Sequence, residues 1–280
     1  YDVIGTLSFE VEKELTFGFN MGFLWEPTPW LAFGMVYQSP VSMDMEGDYQ
    51  WVNGDGWNNF IKPLSDNAVA GFVLDGIGIK GQPISEGTAT LDMTYPEHIS
   101  MGVSLQLTPR FKVNVDYKFT AWSEWAAIPV EFSENIDLLA LASVVPNNEG
   151  TTATNLTFPL GLEDTWNLAI GFEYAVSDRL DIRFGVEDRP SSIPEESRSP
   201  LLPIASGIFY GTGFGYKLES GAQFDFGMAY LHTEVKMPGG TSDLGNSNDP
   251  QKVIYNPFPG QDITATVDAF LVEFSYREEF

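Results

Sequence analysis

Cysteine is absent from all 280 residues, which rules out both a disulfide framework and a thiolate metal site. Histidine is scarce too: His98 and His232 are the only two, so little is available for acid–base work. Positive charge is short, with 14 Lys and Arg against 39 Asp and Glu and a net charge of -25. That balance argues against nucleic acid and against an anionic cytoplasmic membrane surface as partners. No apolar run reaches the roughly 18 residues of a membrane helix. The opening residues carry no signal-peptide pattern. What the chain does have is 27 glycines and 14% aromatic residues, a mixture better suited to β-structure than to helices.

The order of residues agrees. In RFKVNVDYKFT (110–120), Phe111, Val113, Val115, Tyr117 and Phe119 alternate with Arg110, Lys112, Asn114, Asp116, Lys118 and Thr120. Successive side chains on a strand point to opposite faces, so this stretch has one oily and one polar face. The same alternation fills LTFGFNMGFLW (15–25), HISMGVSLQLT (98–108), TWNLAIGFEYAV (165–176) and RLDIRFGVED (179–188). Helical spacing fits none of them, and the chain reads as all-β. About ten strands are predicted, near 3–10, 15–25, 30–48, 87–107, 110–124, 164–176, 179–188, 203–218, 222–236 and 263–276. Tight joints near 27–29, 109–110, 177–178 and 219–221 alternate with long polar segments near 48–86, 124–163, 189–202 and 237–261. Pro96 falls inside one alternating run, which predicts a bulge or kink above the membrane in an otherwise continuous strand.

A soluble barrel would alternate as well, with its oily face inward. Short turns on one side and long loops on the other belong instead to an antiparallel transmembrane β-barrel of the outer-membrane type. Aromatics near strand ends (Trp25, Trp30, Tyr95, Trp122, Trp125, Trp166 and Tyr276) match interfacial girdles. The oily positions then face lipid, while Lys112, Asp116 and Lys118 face the interior.

Several segments carry a resemblance. DYKFTAWSEW (116–125), MVYQSPVSMDMEGDY (35–49) and GVEDRPSSIPEESRSPLLP (185–203) resemble stretches of the FadL family of outer-membrane transporters for long-chain fatty acids and aromatic hydrocarbons. GTLSFEVEKELTFGFNMGFLW (5–25), LDMTYPEHISMGVSLQLTP (91–109) and EDTWNLAIGFEYAV (163–176) are similar to the same family, in the same order. The resemblance implies a fourteen-stranded barrel, plugged by an N-terminal hatch and opening sideways at a kinked strand. This chain corresponds to its last ten strands or so, up to the closing aromatic Phe280. The expectation is therefore a single barrel domain over 1–280 that lacks the hatch and the first strands.

The resemblance further implies capture of hydrophobic compounds at extracellular loops and passage through the barrel interior. IDLLALASVV (136–145) is the best match for the capture surface, through Leu138, Leu139 and Leu141. The same run also reads as a short loop helix packing those leucines onto the barrel rim, and the two readings are compatible. Inside, Lys112, Lys118 and Arg183 are candidate cations for a fatty acid carboxylate; the ordinary alternative pairs them with Asp181 and Glu187. Trp122 and Trp125 complete the candidate substrate-binding set. Fatty acid transporters of the family place cationic help partly in the region of TTATNLTFPLGLED (151–164), which here holds no Lys or Arg. Neutral hydrocarbons or aromatics therefore stay in play beside fatty acids. Acidic loop residues such as Asp44, Glu46, Asp48, Asp55, Glu195 and Glu196 read as solvated, with divalent bridging to lipid phosphates as an addition. Expected partners are hydrophobic small molecules, outer-membrane lipid and lipopolysaccharide, around a monomer; no cofactor or catalytic residue is expected. A general diffusion porin is the alternative, and a barrel enzyme built on His98 or His232 is a further one.

Overall fold

The computed structural model describes residues 4–13, 15–144, 151–200, 202–249 and 256–278. Val145 and Phe280, both used in the sequence reading, lie outside them. Nine antiparallel strands make one wall, in the order β2 (Asn20–Thr28), β3 (Leu31–Gln38), β6 (His98–Thr108), β7 (Phe111–Thr120), β10 (Thr165–Ala175), β11 (Leu180–Arg189), β12 (Gly207–Lys217), β13 (Gln223–Met237) and β14 (Ile263–Arg277). A second sheet of five strands is ordered β1 (Gly5–Glu12), β4 (Val41–Asn53), β5 (Ile84–Tyr95), β8 (Ala127–Phe132) and β9 (Asn155–Pro159). The chain passes from β1 to β2, β3 to β4, β5 to β6, β7 to β8 and β9 to β10, so the five strands continue five wall strands beyond the membrane. Helices α1 (Asp55–Ser65) and α2 (Ala68–Gly76) join β4 to β5, and α3 (Asp137–Ser143) lies between β8 and β9.

Nine strands cross the wall rather than ten because the run 3–10, read as a wall strand, supplies β1, whose Gly5–Glu12 pair with β4 in the upper sheet. The runs 30–48 and 87–107 are each divided in two, at Pro40 and at Pro96. Below the break Gln38 lies opposite His98; above it Val41 lies opposite Tyr95. The register therefore carries through unshifted and sets Pro40 against Pro96. Neither has an N–H for the ladder, and two such residues face to face interrupt it without an inserted residue. The expected irregularity is thus a break and not a bulge.

Connections at the opposite end of the wall are tight, at 29–30, 109–110, 176–179 and 218–222. In the last of these Gly221 takes a left-handed φ of 91°, a conformation that favours glycine. All the long connections lie at the end that carries the second sheet, the asymmetry of outer-membrane barrels.

Side-chain alternation gives the wall two faces. Across β7 and β10, Phe119 meets Trp166, Tyr117 meets Leu168, Val115 meets Ile170 and Val113 meets Phe172. The other face of the same pair carries Lys112 opposite Glu173, Asn114 opposite Gly171 and Lys118 opposite Asn167. The apolar face is the exposed one; Phe270 and Val272 on β14 are each 72% accessible. An apolar surface running across nine strands far exceeds the roughly 300–600 Å² patches of soluble monomers, so its solvent is lipid. Aromatic rings edge this band. Trp166 stacks on Tyr117 at 4.7 Å at the upper end of β10, and Trp25 on Phe33 at 5.6 Å toward the tight turns. Among the described residues no strand pairs with the outer edge of β2 or of β14.

Candidate functional site

The inner face is where a polar solute, or a lipid-averse path for an apolar one, would run. Its charges are tied together across strands. Glu173 on β10 accepts from Lys112 Nζ on β7 at 3.0 Å and from Arg183 Nε on β11 at 2.7 Å. Arg183 also donates through a terminal nitrogen to Asp225 on β13 at 2.6 Å, and Asp225 accepts from Gln223 at 2.9 Å. Lys118 stands three inner-face positions above Lys112 on the same strand, about 20 Å away at strand rise. It faces Glu187 at 4.0 Å, and Glu187 also accepts from Asn167 at 3.2 Å and Arg189 at 3.3 Å. The structure thus brings Lys112 and Arg183 together on Glu173 and leaves Lys118 apart. Of the two partners suggested by sequence, Glu187 engages Lys118, whereas Arg183 uses Glu173 and Asp225.

Beside and just above Arg183, glycine takes the place of inward side chains from β10 to β13. Gly171, Gly185 and Gly211 form one cross-strand row, and Gly213 lies opposite Gly227 in the next. A Cβ at Gly213 would collide with the Phe226 carbonyl oxygen, so the strands approach closely only because it is absent. The result is a recess of about 560 Å³. Glycine backbone makes its floor, Phe209, Ala229 and Leu271 are apolar neighbours, and Glu173, Arg183 and Asp225 mark its lower end.

At the upper rim an aromatic cluster gathers around the break in β5–β6. The 3-10 turn at Trp122–Trp125 carries both candidate tryptophans, 5.5 Å apart, edge to face. His98 lies 6.5 Å from Trp122 and 5.8 Å from Tyr95, while Trp125 lies 6.3 Å from Tyr95 and donates Nε1–H to the Thr94 carbonyl at 2.7 Å. His98 Nδ1 is 2.9 Å from Thr120 Oγ1. The other histidine is elsewhere: His232 pairs with Asp268 at 2.9 Å on the outward face of β13–β14.

The second sheet carries its own core. Tyr49, Trp51, Ala89, Val130, Phe132, Ile136, Leu139 and Leu156 are buried together, and Tyr49 meets Phe132 edge to face at 4.8 Å. Burial, aided by the Glu134 charge, raises the Tyr49 phenol above its ordinary pKa, and its hydroxyl donates to the Glu134 carbonyl. Leu139 is 4% exposed, and Leu138 and Leu141 pack against buried clusters. Helix α3 therefore turns its leucines into the core; they do not form an open surface. The exposed apolar surface lies one loop earlier. Helix α2 buries none of its residues, and Val69 (77% exposed), Phe72 (79%) and Val73 share one face at helical i, i+3, i+4 spacing. Phe60 on α1 is exposed as well. The side chain of Asn67 caps α2, accepting from the N–H groups of Val69 and Ala70 at 3.0 and 3.1 Å. Sequence reading passed over α2 because 48–86 averages as polar. The run AVAGFVL after a capping Asn was the available signal.

Residues 6–280 match the family model for outer membrane protein transport proteins, the OMPP1/FadL/TodX family. The chain belongs to this family. A long-chain fatty acid transport protein of Escherichia coli O6:H1 is 23% identical over 220 residues, covering 78% of this chain and 43% of the relative. A 47 kDa outer membrane protein of Pasteurella multocida is 24% identical, covering 77% and 43%. Among solved structures, a Pseudomonas aeruginosa FadL homologue superposes with a TM-score of 0.60 at 19% identity, over 92% of this chain and 51% of that one. The Pseudomonas putida toluene transporter TodX gives 0.50 at 15% identity, over 83% and 48%. These likenesses fix the fold as an outer-membrane β-barrel, and the family places the protein in the Gram-negative outer membrane. The chain spans less than half the length of the curated relatives it matches, with 43% of the E. coli protein covered.

Proposed function

We propose that the protein takes up hydrophobic small molecules across the outer membrane. The observation that carries this reading is α2, an extracellular helix presenting Val69, Phe72 and Val73 to water with no protein surface over them. An apolar solute cannot dissolve in the sugar layer outside, and such a face offers it a first foothold. The aromatic cluster of Tyr95, Trp122 and Trp125 lies at the rim, and the glycine-floored recess follows on the inner face.

Bare strand edges cannot stand in lipid, because each unpaired N–H and C=O costs several kcal/mol there. This reading therefore includes further strands joining β2 to β14, so that the described wall is part of one larger monomeric barrel set among outer-membrane lipid and lipopolysaccharide. The test is initial uptake of a radiolabelled apolar compound by cells carrying the native protein, together with conductance in planar bilayers. Faster uptake with little steady ion current supports the proposal. A large steady current without selective uptake would make the protein a diffusion porin instead.

A further inference from the structure

We propose that the upper rim holds a binding site for a small organic cation, a quaternary ammonium, framed by Tyr95, His98, Trp122 and Trp125. The site goes beyond the uptake reading and stands on the rim alone, where every element that builds it is described. The four rings close a circuit. Tyr95 meets His98 at 5.8 Å, His98 meets Trp122 at 6.5 Å, Trp122 meets Trp125 at 5.5 Å, and Trp125 returns to Tyr95 at 6.3 Å. Successive planes are turned by 58° to 88°, as the walls of a box are. Neither diagonal, Tyr95 to Trp122 or His98 to Trp125, closes to a ring contact among the described residues, so the circuit has not folded flat onto itself. On a square of such sides the middle stands about 4 Å from each centroid, inside the roughly 6 Å over which a ring face attracts a cation.

Hydrogen bonds from outside the circuit hold it in place, which lowers the entropy lost on binding. Trp125 donates its indole N–H to the Thr94 carbonyl at 2.7 Å, and His98 Nδ1 lies 2.9 Å from Thr120 Oγ1. The turn that carries both tryptophans is anchored at Asp164, whose carboxylate accepts from the Ser123 N–H at 2.9 Å, and at Glu97, whose carbonyl accepts from the Ala121 N–H. Access from water remains: Tyr95 is 41% exposed, and the other three rings are half-buried. Charge favours a cation. Glu97 and Glu124 adjoin the rings in sequence, Asp164 touches the turn, and the chain as a whole carries a net charge of -25. Lys118, two residues below Thr120, is turned to Glu187 at 4.0 Å. The same rings select among cations. An alkali ion would have to give up its hydration shell, and a primary ammonium brings three N–H donors, yet ring faces supply oxygen to neither. A nitrogen clothed in methyl groups needs no acceptor, and indole is the strongest of the aromatic faces for it.

The test titrates the tryptophan emission of the whole protein in dodecyl maltoside, which has no quaternary nitrogen, with choline chloride against sodium chloride at equal ionic strength. The parallel titrant is 3,3-dimethylbutan-1-ol, which has the same shape without the charge. Choline should change the emission saturably, and the alcohol should bind about tenfold more weakly or worse. Tyr95→Leu and Trp122→Leu should each weaken choline about tenfold, while Trp122→Phe, which keeps a ring, should lose less. Protein grown on 5-fluorotryptophan keeps its shape while fluorine draws electron density from the indole faces, so choline should bind it more weakly. That arm decides the matter even where a leucine variant does not fold. Glycerophosphocholine should bind below choline, because its phosphate meets Glu97 and Glu124. Equal binding of the two would make the ligand a lipid headgroup and leave the cation box standing. Absence of saturable choline binding overturns the inference. So does equal affinity for the alcohol, or an affinity that neither fluorination nor any folded ring variant alters.

Discussion

Replacing Phe72 by Ser tests where capture begins. Phe72 is 79% exposed on a helix that buries none of its own residues, so the change removes a surface ring and no packing. Its cost to the fold should stay within about 0.5 kcal/mol. A phenyl side chain presents roughly 150–250 Å². A ligand lying across α2 that covers about half of the ring's open surface removes about 80 Å² from water. At about 25 cal/mol per Å² that contact contributes about 2 kcal/mol, or a factor of about 30 in affinity. The assay is a titration of the protein in lipid nanodiscs with the neutral fluorophore N-phenyl-1-naphthylamine. Val69→Ser on the same face should weaken binding in the same direction. An unchanged Kd in both variants, with weakening instead in a folded Leu139→Ser protein, would return capture to α3 and refute the argument.

Three further outcomes follow from the same geometry. Leu139→Ala empties a site in the core of the second sheet and should cost about 2–4 kcal/mol locally, read as faster limited proteolysis of the extracellular part. Ile170→Arg puts a charge on the lipid face and should destabilise the wall by about 2–4 kcal/mol in reversible urea unfolding, whereas Ala169→Arg, beside Asp116 and Glu187 on the inner face, should cost far less. Asn67→Ala removes the cap of α2 and should cost about 1 kcal/mol, seen as quicker amide exchange at Val69 and Ala70 with the wall unaffected.

The wall was legible because period-two alternation survives in a single strand without knowledge of its neighbours. Phe111 to Phe119 announce a face whether or not Trp166 lies opposite. Pro96 was legible for the same reason, since the missing N–H is a local fact. Its pairing with Pro40 was not, because that depends on the register between segments more than fifty residues apart. The identities of Lys112, Lys118 and Arg183 could be read as inner residues, but their partners could not: Glu173 meets Arg183 only because β10 and β11 pair with that particular offset. The leucines of α3 show the limit of composition. Leu138, Leu139 and Leu141 are apolar in a polar loop whether they face water or a core, and only the second sheet and α1 packed against them decide it.

The unshifted register across Pro40 and Pro96 makes everything from 41 to 95 a cassette as far as the membrane wall is concerned, although β4 and β5 also hold β1 and β8 in the second sheet. Gln38 meets His98 on terms that do not depend on how many residues lie between them, so a tight turn joining Ser39 to Glu97 would leave β3–β6 pairing as it stands. Evolution could lengthen, shorten or replace the α1–α2 hairpin without disturbing the membrane wall, and an engineer could graft a different recognition loop at the same two prolines.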